Sequence, residues 1–108
     1  MGILFIFMTM KHQLFASTYD RHGRLISTGV NSYTRSRALQ RHFSIIANQP
    51  DRKYTHAEID ALVKAKGKPI YKLRIERYNK QGEPVCAKPC KICEIAIKAF
   101  GVKIIEHT

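Results

Sequence analysis

The chain has 108 residues, 44% of them apolar and 25% charged, which suits one globular domain with a modest core. Nineteen Lys and Arg against eight Asp and Glu leave a formal charge of +11, a surplus that favours phosphorylated or polyanionic partners. Its cysteines, Cys86, Cys90 and Cys93, are too few and too clustered for a disulfide scaffold and point to metal binding in a reducing cytoplasm.

Residues 1–10 form an apolar run far below the roughly 20 residues of a membrane span. The run lacks the basic flank and cleavage site of a signal peptide, and Ile6 spoils a myristoylation motif at Gly2. It is a first strand, a docking segment, or an extension upstream of a start at Met8 or Met10. No membrane is expected. Residues 14–19 predict a strand, residues 20–23 its turn, and residues 24–31 a hairpin partner. Leu39, Phe43 and Ile46 predict a helix over 36–47, and residues 48–51 break it.

Thr55 opens a predicted helix that runs to Lys66 and stops at Gly67. Residues 70–78 alternate as a strand and residues 79–82 form a loop. Pro89 takes a first-turn position in a helix with the stripe Ile92, Ile95, Ala96 and Ala99, and Gly101 is its stop. Residues 102–105 make a last strand. The order β-β-α-α-β-α-β predicts an α/β layered domain spanning residues 1–108, with helices covering a sheet.

Two short motifs carry the chemistry. His56-Ala57-Glu58 opens one predicted helix, and Pro89-Cys90-Lys91-Ile92-Cys93 opens another. One imidazole and two thiols make three zinc ligands and leave a fourth tetrahedral position open. The positive end of a helix lowers the pKa of a thiol placed there, so both cysteines are expected as thiolates. Glu58 stands outside the ligand set, where it can move protons.

This H-x-E…P-C-x-x-C arrangement resembles the signature of the cytidine and deoxycytidylate deaminase superfamily, and the small chain looks like its compact phage-encoded members. The resemblance implies a layered α/β/α fold around a mixed sheet of about four strands. It implies Zn2+ held by His56, Cys90 and Cys93, with Glu58 as the catalytic acid and base. Zinc brings the pKa of bound water toward about 7, and in this superfamily the resulting hydroxide displaces ammonia from the base. The Ala57 N–H and the Ala87 and Lys88 carbonyls would hold the base edge, and Asn31, at the end of the second strand, the sugar. The implied substrate is a cytosine nucleoside or nucleotide such as deoxycytidylate, converted to the uracil form. Lys88 stands where many cytidine-acting members have Ser. Most relatives continue beyond a fourth strand, so the resemblance implies either a minimal member or a homo-oligomer that supplies the missing wall, the second being the expectation.

Other readings compete for the same residues. Thr55 and Glu58 also spell a capping box, and Pro-Cys-x-x-Cys alone would suit a structural zinc site. A thioredoxin-like redox pair would not need His56 or Glu58. Cys86 is a small buried residue or a fourth thiol near the metal. His12, His22, His42 and His107 are expected at the surface, and Tyr33, Arg35 and Arg37 either line a phosphate pocket or form a solvated basic loop. The charge also suits a deaminase of single-stranded DNA or tRNA, or a non-catalytic nucleic-acid-binding zinc module.

Overall fold

Two seven-residue strands, β1 (Gln13–Tyr19) and β3 (Lys72–Tyr78), form the middle of one open sheet in the computed structural model, which describes residues 13–108. They pair antiparallel along their whole length, from Gln13 opposite Tyr78 to Tyr19 opposite Lys72. The predicted hairpin partner, β2 (Leu25–Val30), flanks β1 antiparallel. Its turn is held by Asp20, whose carboxylate accepts the N–H groups of His22 and Arg24 at 2.9 Å each. The apolar run at residues 1–10 lies outside the described residues.

The other flank of β3 is shared by two short strands. β4 (Pro84–Val85) pairs antiparallel with Arg77 and Tyr78, and β5 (Ile104–His107) pairs parallel with Lys72–Ile75. The sheet is therefore mixed, as expected, but has five strands instead of about four. Two residues beginning with Pro are too short to show a period of two, so β4 is not legible as a strand. β5 starts two residues later than residues 102–105. The chain first has to leave the preceding helix through Gly101 (φ 73), and the Lys103 and Ile104 N–H groups then share the Tyr71 carbonyl.

Among the described residues, three helices follow the predicted order with shorter ends: α1 (Ala38–Ile46), α2 (Ala57–Lys64) and α3 (Lys91–Ala99). α2 lies on β2 and β1, and α3 and α1 pack beside it. Ala16, Leu73 and Ile75 of the sheet share one buried cluster with Phe43, Ile59, Leu62, Ile92 and Ile97 of the helices. On the other face of β3, Arg74 pairs with Glu76 at 2.9 Å and Lys72 lies 4.8 Å from the Tyr19 ring centre. The third layer of an α/β/α arrangement is not part of the described structure, which is a mixed α/β fold with the helices above packed about one core. No helix among the described residues is long and apolar enough to cross a membrane.

Gly29 sets how closely α2 approaches the sheet. A Cβ on Gly29 would stand 2.5 Å from the Ala57 carbonyl oxygen and 2.9 Å from the Ala61 Cα. Only a residue without a side chain lets the first turn of α2 rest on β2. That turn carries His56 and Glu58.

Candidate metal centre and cleft

His56 and Cys90 occupy equivalent places, each the N-cap of its helix with extended backbone. Cys93 lies one turn into α3, fully buried. The His56 Nδ1 is 3.3 Å from the Cys93 Sγ and 3.4 Å from the Cys90 Sγ, and the three donor atoms lie within 4.8 Å of one another. A tetrahedral zinc with bonds of about 2.0–2.3 Å separates its donor atoms by roughly 3.5 Å. The donor set and its spacing fit a zinc ion, with Nδ1 as the histidine ligand.

The three groups share protons unequally. The Cys93 thiol donates to Cys90, which, against the cost of burial and helped by His56, brings Cys90 down to about 4. His56 is raised, first by its hydrogen bond to Cys90, with burial opposing. Cys93 is raised, because it gives its hydrogen bond to Cys90 and is buried. Without a bound ion, Cys90 is the more acidic of the two cysteines. A dication would have to displace the Cys93 proton.

Glu58 is not part of a capping box. The helix begins one residue later than Thr55 requires, with no side-chain cap, and the Thr55 hydroxyl accepts the Arg37 N–H at 3.0 Å instead. The Glu58 side chain is buried beside the ligand trio, and its Oε1 has no hydrogen-bond partner. Burial raises the pKa of this carboxyl, partly offset by its own backbone N–H and by His56. Pro89 likewise precedes the cap of α3 and is not in its first turn.

One cleft of about 560 Å³ collects nearly every residue nominated from the sequence: Asn31, His56, Ala57, Glu58, Ala87, Lys88 and Cys90. Cys93 is sealed in the core just behind them. Ala57 is buried as the first residue of α2, where the helix offers its N–H no acceptor. Asn31 is held by its Oδ1, which accepts the Leu14 N–H at 3.0 Å. Ala87 is buried and its N–H donates to the Thr108 carbonyl at 2.9 Å, while Lys88 is exposed at the rim. Cys86 lines the cleft and is exposed, not buried, and does not join the metal trio.

Several positioning residues escaped the sequence reading. The Gln40 Oε1 accepts the His56 N–H at 3.0 Å, and its Nε2 donates to the Ser44 hydroxyl and the Arg52 carbonyl. Asp60 accepts the Val30 N–H at 3.1 Å and pairs with Arg37 and Lys64, both at 2.9 Å. Their only signal in the sequence is a polar residue on an otherwise apolar helix face. Tyr33 and Tyr54 also line the cleft, far apart in sequence. Of the two arginines offered for a phosphate pocket, both line a neighbouring hollow, and Arg37 is committed to Asp60. His22, His42 and His107 are exposed, as expected.

No protein-family profile matches the chain, and no curated protein matches it.

Proposed function

We propose that the protein is a hydrolytic zinc deaminase of the cytidine and deoxycytidylate deaminase type, converting a cytosine base to uracil with release of ammonia. The observation that carries this reading is the Glu58 carboxyl, buried with an unpartnered Oε1 beside a His/Cys/Cys donor set. A structural zinc site has no use for such a group. Burying an unsatisfied carboxyl oxygen costs about 1–3 kcal/mol, and a functional site is where that cost is tolerated.

Zinc bound by the three donors supplies a Lewis acid that lowers the pKa of water to near neutrality. Glu58 then acts on protons alone. Its Oε1 takes one proton of the attacking water and delivers it to the ring nitrogen, then takes the second proton from the hydroxyl newly formed on the ring carbon and delivers it to the departing amine. Water and cytosine become uracil and ammonia, and the carboxylate is regenerated. The raised pKa of Glu58 suits a group that must both accept and donate near neutrality. Asn31 orients the sugar, and the Ala57 N–H with the Ala87 and Lys88 carbonyls orients the base. Because Gln40 and Thr108 hold His56 and Ala87 by backbone hydrogen bonds, those orienting groups are fixed before the ligand arrives.

The test is ammonia release by zinc-loaded protein with cytidine, deoxycytidine, deoxycytidylate, guanine, single-stranded DNA and tRNA, run beside Glu58→Ala. Turnover that vanishes in the variant is expected. Silence on every substrate from folded, zinc-loaded protein would favour the non-catalytic binding module.

A further inference from the structure

Three cationic side chains from three elements meet in the cleft: Arg77 of β3, Arg52 of the α1–α2 loop, and Lys88 of the loop before α3. The acids lining the cleft are Asp51 and Glu58. Arg52 and Lys88 are exposed, and water satisfies them without further partners. Arg77 is different. Its place on β3 puts it on the same side as the buried Leu73 and Ile75, between Leu14 of β1 and Val85 of β4. Its Nε is buried and has no hydrogen-bond partner.

A guanidinium N–H withdrawn from water needs an acceptor, and the fork of donors matches phosphate oxygens in two-point contact. Among the described residues, no carboxylate is ion-paired with Arg77. Arg52 and Lys88 add positive charge to the same cleft, whose volume lies in the range that encloses small molecules.

We propose that Arg77, supported by Arg52 and Lys88, binds the phosphate monoester of a small nucleotide, so that the cleft selects a mononucleotide over the uncharged nucleoside. The nucleotide part rests on the deaminase reading above; the phosphate part stands on the charge of Arg77 and on its buried, unpartnered Nε.

The experiment is calorimetric titration of the zinc-loaded full chain with deoxyuridine, deoxyuridine 5′-monophosphate, inorganic phosphate and a single-stranded oligodeoxyuridylate. These ligands carry no exocyclic amine, so turnover does not disturb the measurement. The wild type should bind the monophosphate at least about tenfold more tightly than the nucleoside, the scale of one charge-assisted contact, and phosphate should compete. Arg77→Gln should reduce that preference about tenfold, and Arg77→Lys should restore part of it. Equal wild-type affinity for nucleoside and monophosphate overturns the proposal, as does no binding of the monophosphate or tighter binding of the oligonucleotide. The wild-type comparison decides this even if a variant misfolds, and an unchanged preference in folded Arg77→Gln overturns the role of Arg77. Phosphate preference in a protein that deaminates nothing would sink the deaminase reading alone. Ammonia release without phosphate preference would sink the phosphate proposal alone.

Discussion

The side-chain carbonyl of Gln40 accepts the backbone N–H of His56 at 3.0 Å, and so ties the middle of α1 to the N-cap of α2. Gln40 is fully buried and also holds the Arg52 carbonyl at 3.2 Å. One amide thus braces His56, a candidate metal ligand, and the loop that forms a cleft wall. Gln40→Leu should weaken zinc binding about tenfold or more, the usual scale for a supporting group behind a ligand. Competition against a zinc-sensitive dye measures it. Unchanged affinity would show that α2 holds His56 unaided.

Glu58 and Cys93 are both buried yet answer different tests. Glu58→Gln should keep the fold and the zinc while lowering turnover by about 10²- to 10⁴-fold. Cys93→Ser should lose zinc and stability together, because metal binding and folding share the same free energy. Metal content, melting temperature and ammonia release on the two variants separate the roles. A Glu58→Gln protein with most of its activity would exclude Glu58 as the proton carrier.

Gly29 is where β2 and α2 touch backbone to backbone. Gly29→Ala should destabilise the protein by about 1–3 kcal/mol, as overpacking does, and loosen the turn bearing His56. Denaturant unfolding gives the first quantity and zinc affinity the second. A neutral effect on both would mean the helix can lift from the sheet at no cost.

Asp60 predicts a pH dependence. Burial acts to raise its pKa, but Lys64, the Val30 N–H and Arg37 together outweigh burial and lower it. A carboxyl with a folded pKa below its unfolded value of about 3.9 stabilises the protein above that value. The contribution is lost as pH falls through the lower, folded pKa. Both cationic partners are roughly half-exposed, which limits the Coulombic share to about 1 kcal/mol or less. Asp60→Asn should therefore be less stable than the wild type at pH 7, and their urea midpoints should converge below about pH 4. Parallel curves across that range would show that the charge of Asp60 does not matter.

Chelation offers a check on the whole centre. Removing zinc from the wild type should lower its melting temperature, and the drop should be absent in His56→Ala. An equal drop in both would place the metal elsewhere.

The two motifs were legible in the chain because each is local: His56 with Glu58, and Cys90 with Cys93, sit within one helical turn. The β1–β2 hairpin, the three helices and β3 were legible for the same reason, since turn residues and periodicity act over a few positions. β4 was hidden because two residues have no period. What Glu58 does was undetermined by sequence, where a capping box and a proton carrier look alike. The tertiary structure removed the capping box by giving the Thr55 hydroxyl to Arg37, and it left the Glu58 Oε1 unpartnered. It also drew Arg77, Arg52 and Lys88 into one cleft and spent Arg37 on Asp60. Which side chains could hold a metal follows from residue type and short spacing; which polar groups remain unpaired in the cleft depends on contacts between residues far apart in the chain, and only packing sets those.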